Sequence, residues 1–181
     1  MITNISMISI TNIKSLKKAL TIRSVNVILL ANCHIGNLDM LVNECHKSEK
    51  KVAVNLELIG GFTADQIGIK LLKDKFNIDY VISNSPSRLS WAQKAGLATI
   101  QLLTLIDSRS IDSAKKIIVS SPASLFEVRP AAYAMQFIKE FKEIRQDAEF
   151  LIGGFVCSNE LLKDALKAGF VGATSSDLTI W

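Results

Sequence analysis

Apolar positions along the chain gather into short runs that return every ~20–25 residues, separated by polar stretches with a different rhythm. The runs are MISI (7–10), VNVILLA (25–31), KVAVNLEL (51–58), YVIS (80–83), ATIQLLTLI (98–106), LFEV (125–128), FLIGG (150–154) and VGAT (171–174). Most are rich in Val and Ile and apolar throughout rather than alternating, the pattern of strands covered on both faces. The segments between them repeat at helical spacing. Residues 37–47 place Leu38, Leu41, Val42 and Cys45 on one face. Residues 63–76 open with Thr63 and Gln66 at the spacing of a capping box and offer Ile67 and Leu71 for burial. Ser85-Pro86 reads as an N-cap followed by proline in the first turn, with Gly96 closing that helix. Residues 131–146 align Ala134, Phe137, Ile138, Phe141 and Ile144, and residues 158–167 run to a stop at Gly169.

Strands that alternate with helices imply a parallel sheet, and a count of eight favours closure. The expectation is an α/β chain forming one small single-domain (β/α)₈ TIM-like barrel over residues 1–181, with an open doubly wound sheet as the alternative. At 181 residues the loops of such a barrel must be tight and the helix before the second strand brief. The mean hydropathy of +0.28 and the apolar fraction of 49% agree with strands buried on both faces. No apolar run reaches the ~18–20 residues of a membrane span, and MITNISMISITNIKSLKK lacks the build of a signal peptide. A soluble cytoplasmic protein is therefore expected.

Cys33, Cys45 and Cys157 are three in number and read as reduced thiols. Cys33-His34 and Cys45-His46 suggest a metal pattern, but neighbouring residues point in different directions, so neither a metal nor a cofactor is expected. Cys45 reads instead as packing with Leu41 and Val42. The net charge of +4 is compatible with a nucleic-acid partner without requiring one. Lysines sit in amphipathic stretches such as 13–20 and 137–145.

Ligands of such barrels meet the C-terminal ends of the strands, with phosphate favoured after strands seven and eight. There the sequence has Gly153-Gly154 and Ala173-Thr174-Ser175-Ser176. Glycine lets the backbone approach an anion closely, and the residues that follow offer N–H and hydroxyl donors. Tight strand-to-helix packing is the plainer reading of the glycine pair. Three acids, Glu57, Asp107 and Glu127, fall near other strand ends. They could grip polyol hydroxyls, hold a metal or act as acid or base; they could equally cap helices or pair with Arg129. Asp107-Ser108 has the look of a cap, whereas Glu127 lies inside an otherwise apolar strand and needs a partner.

Taken together, KKVAVNLELIGGF, LATIQLLTLIDS, SPASLFEVRP and IGGFVCSNELLKDALKAGFVGATSSDLTIW give the chain a resemblance to the glycerol-3-phosphate-responsive antiterminators from Val27 to Trp181. The resemblance implies a TIM-barrel-like regulator that senses glycerol-3-phosphate and binds leader mRNA so that transcription of glycerol uptake genes passes a terminator. It implies no catalysis, and it leaves assembly into a homo-oligomer open. On this reading Gly153, Gly154, Thr174, Ser175 and Ser176 hold phosphate. Asn55, Glu57, Asp107, Glu127 and Arg129 meet the polyol. Lys139, Lys142 and Arg145 form a modest basic face for RNA. The chain departs from the family pattern at Asn55, Leu102 and Ala131, where His, Arg and Gly are usual, and Arg129 is a candidate to return the lost cation from a different strand. The rival class is a TIM-barrel enzyme acting on a phosphorylated small sugar or polyol.

Overall fold

The structure, a computed structural model, describes residues 5–181. Eight parallel strands close in sequence order, β1-β2-β3-β4-β5-β6-β7-β8, with β8 pairing back onto β1. They are β1 (Ile5–Ile10), β2 (Val27–Leu30), β3 (Lys51–Asn55), β4 (Tyr80–Ser83), β5 (Ala98–Thr104), β6 (Leu125–Arg129), β7 (Glu149–Gly153) and β8 (Gly172–Ser175). The helices outside them are α1 (Leu16–Leu20), α2 (Leu38–Lys47), α3 (Gln66–Asp74), α4 (Pro86–Lys94), α5 (Ser108–Ser120), α6 (Ala131–Ile144) and α7 (Asn159–Ala168). The expected barrel is the observed one, and α1 is brief, preceded by a 3-10 turn at Ile13–Ser15.

Alternation along the strands divides the apolar core. Met7, Val27, Leu29, Ile82, Ile100 and Leu151 point to the axis and fill the barrel. Their neighbours Ile8, Ile28, Val52 and Val81 face α1–α4, and Phe126, Val128, Phe150 and Ile152 face α5–α7. Phe126, Phe150 and Phe141 stack at centroid distances of 5.4 and 6.2 Å, locking α6 to β6 and β7.

Several local readings change. The third strand stops at Asn55 instead of continuing to Leu58, because the Asn55 side-chain oxygen accepts from Glu57 N at 2.9 Å and turns the chain. Helix α3 is capped by Asp65, which accepts from Gly68 N at 2.7 Å, and not by Thr63. The apolar pattern of α3 allows two faces, and packing against the barrel buries the one not expected. Ile69 and Leu72 are buried, while Ile67 is 82% exposed. The fifth strand and the sixth helix each end two residues early, at Thr104 and Ile144, whereas Ser158 caps α7 and Gly169 ends it at φ 103° as expected, and Cys45 is buried with Leu41 and Val42 on α2.

Candidate functional site

The C-terminal ends of the strands form one mouth with two unlike halves. Between β6, β7, β8 and β1 a cavity of about 390 Å³ opens. Ser9 and Thr11 line it from β1, Arg129 from β6, residues 154–157 from the loop after β7, and residues 174–177 from the end of β8. Gly154, Thr174, Ser175, Ser176 and Arg129, all singled out from sequence, thus share one cavity.

Among the described residues its lining carries one cation, Arg129 of β6, and one carboxylate, Asp177, and Arg129 is held by a second residue of β6. Positions two apart on a strand share a face, so Glu127 and Arg129 both point inward. Glu127 is completely buried, where a carboxylate is costly unless paired and hydrogen-bonded. Its Oε1 accepts from Arg129 Nε and Nη2, each at 2.6 Å. Arg129 keeps 31% of its side chain exposed and carries the pair's cation to the cavity wall. Glu127 Oε2 is buried without a hydrogen-bond partner among the described residues. Leu102, standing where the resemblance leads one to expect Arg, is the β5 register partner of Glu127, and the cation paired with that carboxylate is Arg129 of β6.

The glycine pair is explained by this ion pair. A Cβ on Gly153 would lie 2.3 Å from Glu127 Oε1 and 3.2 Å from Arg129 Nε, so the missing side chain is the space the carboxylate occupies. Gly153 therefore stands behind the cavity rather than in its wall. Gly154 adopts φ 70°, a left-handed conformation that glycine takes without strain. Phe155 follows at φ 62° and is 87% exposed at the rim, an uncommon conformation for a residue with a side chain.

The hydroxyls are not equivalent. Ser175 Oγ donates to Val156 O at 2.5 Å and accepts from Asp177 N at 3.1 Å, so it fastens the β7–α7 loop to β8. Thr174 is buried, its Oγ1 3.7 Å from Met7 Sδ. Ser176 is exposed. The Asp177 carboxylate accepts from Thr179 N and Oγ1 at 2.9 and 2.7 Å, and these bonds hold its pKa below the ordinary carboxylate value. The N-terminal end of the short 3-10 turn Leu178–Ile180 is thereby filled by the protein's own anion.

The opposite half of the mouth is closed on itself. Glu57 Oε1 accepts from Ser83 Oγ at 2.5 Å and from Arg88 Nη1 at 3.1 Å. Asn55 is buried and holds Glu57 N, and Gln101 donates to Ser83 O and Asn84 O. None of Asn55, Glu57 and Asp107 lines the cavity. Asp107 caps α5, accepting from Ser110 N at 2.8 Å in a full capping box. On α6, Lys139 is exposed, whereas Lys142 lies against Gly169 and Arg145 donates to Ile118, Ser121 and Ala123 carbonyls at 3.2, 3.0 and 2.9 Å. Arg145 thus closes the α5–β6 turn at the foot of the barrel instead of standing free.

Sequence reading missed Ser9, Thr11, Phe155 and Asp177. The signal for the first two was present: Ile8-Ser9-Ile10-Thr11 alternates at the end of β1, which directs both polar side chains inward. Nothing in sequence marked Phe155.

Comparison with known proteins completes the site's context. Residues 6–181 match the family described as glycerol-3-phosphate responsive antiterminator, and the chain belongs to that family. The uncharacterized protein YgcP of Escherichia coli (strain K12) is 26% identical over 149 residues, covering 82% of this chain and 75% of YgcP. Among solved structures, the glycerol uptake operon antiterminator regulatory protein of Listeria monocytogenes superposes with TM-score 0.90 at 22% identity, covering 99% of this chain and 96% of that one. A glycerol uptake operon antiterminator-related protein of Thermotoga maritima gives TM-score 0.86 at 19% identity, covering 99% and 98%. Two aldolase barrels reach TM-scores of 0.70 and 0.71 at 9% and 8% identity, a likeness of fold alone.

Proposed function

We propose that this family member is a regulator whose β6–β7–β8–β1 cavity takes the phosphate of glycerol-3-phosphate or a close phosphoester, and that occupancy alters its hold on leader mRNA of glycerol uptake genes. The observation that carries the reading is Arg129: a cation exposed in a strand-end cavity and anchored from behind by the buried Glu127. An arginine so oriented is preorganised for a charge-assisted fork with phosphate oxygens. Open backbone at Gly154 and the hydroxyls of Ser9, Thr11 and Ser176 stand beside it. Among the described residues the cavity lining contains no lysine for a Schiff base and no histidine for proton transfer, which favours binding over turnover. Regulation of uptake genes is carried over from the glycerol-3-phosphate responsive antiterminator family and from the glycerol uptake operon antiterminators of Listeria and Thermotoga, and action through leader mRNA is our extension of it.

Calorimetry with glycerol-3-phosphate, glycerol and inorganic phosphate tests the site. Glycerol-3-phosphate should bind best, and Arg129→Gln should weaken it about 10- to 100-fold, the loss of a charge-assisted hydrogen bond of about 1.5–3 kcal/mol. Unchanged affinity in a folded Arg129→Gln variant would remove Arg129 from the phosphate site.

A further inference from the structure

The positive charge of this protein is not spread over its surface. Residues 11–26 contain Lys14, Lys17, Lys18 and Arg23 and no acid. The whole chain has 21 Lys and Arg against 17 Asp and Glu, a net charge of +4. The seventeen cations outside this stretch are therefore matched by seventeen acids, and its four cations equal the entire excess.

The fold presents them together. Lys17 and Lys18 lie three and four residues after Lys14 along the 3-10 turn and α1, so both stand on the outer side with it. All four cations are exposed. Leu16 and Ala19 on the other side are buried in the shell around the barrel. Arg23 sits in the following loop, which Lys50 pins from inside by donating to Ile22 O and Val25 O at 2.9 and 2.7 Å. Lys47 of α2 faces Lys17 across a cleft of about 360 Å³ that also holds Glu44. On α6, by contrast, Lys115 of α5 takes Glu140 at 2.6 Å and Arg145 is committed to carbonyls.

The same segment begins at the ligand cavity. Thr11 is part of the cavity wall, and the next residue, Asn12, caps the 3-10 turn by accepting from Lys14 N at 3.0 Å. The basic run therefore continues directly from the wall that a bound phosphoester would touch.

We propose that the segment from Lys14 to Arg23 is the surface that holds RNA, its four cations contacting successive phosphates of a single-stranded or looped region. This rests on the RNA-regulatory reading above and adds the face and its link to the cavity. Charge complementarity selects a polyanion. The apolar side of α1 is sunk in the core, which leaves little to insert into a lipid surface.

Fluorescence anisotropy with a labelled single-stranded RNA of random sequence, at 50 and 200 mM salt, tests it. Four contacts at about 0.7 each give a salt slope near 2.8, so wild-type affinity should fall about 50-fold over that range. The Lys14→Gln/Lys17→Gln/Lys18→Gln/Arg23→Gln variant should bind more than about 50-fold more weakly at 50 mM, stay weaker than wild type at 200 mM, and lose most of the salt dependence. Its side chains are exposed, and circular dichroism should report an unchanged fold. A control, Lys70→Gln/Lys73→Gln/Lys163→Gln/Lys167→Gln, removes the same charge from α3 and α7 and should stay within about threefold of wild type. Retained binding in the first variant, or equal loss in the control, overturns the assignment of this face while the RNA reading stands. Failure of wild type to bind RNA at 50 mM overturns both, and binding to vesicles of anionic phospholipid in that case would make a membrane the partner. Phosphoester affinity, measured separately by calorimetry, is not moved by either result.

Discussion

The mouth of the barrel holds two polar walls made from similar residues and arranged to opposite ends. On the β3–β4–β5 side, Glu57, Ser83, Arg88, Asn55 and Gln101 satisfy one another. On the β6–β7–β8–β1 side, Glu127 and Arg129 also pair, but the pairing leaves Arg129 open to a cavity and one carboxylate oxygen without a partner. A strand-end acid is thus no guide to ligand binding by itself. What distinguishes a site from a scaffold is the donor or acceptor capacity left after the protein has bonded to itself. The first wall has little left, and the second has the cation, a bare backbone turn and several hydroxyls.

The sharpest break of this contrast is Gly153→Ala. A methyl group 2.3 Å from Glu127 Oε1 cannot be accepted without moving a buried, paired carboxylate. Overpacking of this kind costs about 1–3 kcal/mol, and the displaced Glu127 should also release Arg129. Denaturant melts should show the destabilisation, and calorimetry a loss of phosphoester affinity of tenfold or more, since 1.4 kcal/mol corresponds to a factor of about ten. Wild-type stability with wild-type affinity would mean that the ion pair is not what the glycine accommodates.

The architecture was readable because both-face burial makes every strand a compact Val- and Ile-rich run, and eight such runs fix the count. Local ends were less readable. The run from Lys51 to Leu58 is apolar past the point where Asn55 turns the chain, and hydropathy does not see a side chain bonding its own backbone. The buried face of α3 was misassigned because Ile67 and Leu71 form one apolar pair at helical spacing and Ile69, Leu72 and Phe76 another set, and only packing on the barrel chooses between them. At the mouth, Gly154 and the Ser/Thr run from Thr174 do reach the cavity, yet Ser175 turns out to be a fastener. Whether a hydroxyl or carboxylate is engaged depends on contacts across the barrel, such as Ser175 with Val156, that adjacency in sequence does not record. Arg145, whose acceptors are the Ile118, Ser121 and Ala123 carbonyls, illustrates the same point, whereas the Asp107 cap is local and was legible.

The cysteines report the two walls independently. Cys33, after β2, is buried and its pKa is pushed up to about 11, and burial takes Cys45 to about 12. Cys157 is exposed and lines the cavity. Because the thiolate is the reactive form, an aryl disulfide reagent should label a single thiol in the native protein, identified by mass spectrometry as Cys157. Cys33 and Cys45 should react only on unfolding. Saturating glycerol-3-phosphate should slow Cys157 labelling severalfold, as a ligand in the cavity screens its wall. Rapid native labelling of Cys33 would show that the β2 side opens, and labelling of Cys157 indifferent to ligand would place the phosphoester elsewhere.

The smallest expected effect decides most between the walls. Glu57→Gln keeps an acceptor at the position where Ser83 Oγ and Arg88 now donate, and it removes only the charge. Arg88 retains 38% of its side-chain exposure, so water takes over much of what the ion pair supplied, and an exposed pair of this kind contributes about 0–1 kcal/mol. Stability should drop by no more than that. Glycerol-3-phosphate affinity should stay within about twofold of wild type, a change of about 0.4 kcal/mol, if the ligand occupies only the β6–β7–β8–β1 cavity. The comparison with Arg129→Gln is then the measurement: two single-charge removals at one mouth, one with an effect of 10- to 100-fold and one with almost none. A tenfold loss at Glu57 in a fully stable variant would mean that the polyol end of the ligand crosses the axis to β3. The wall that is closed in this structure would then open on binding, exchanging the Ser83 and Arg88 bonds of Glu57 for bonds to ligand hydroxyls.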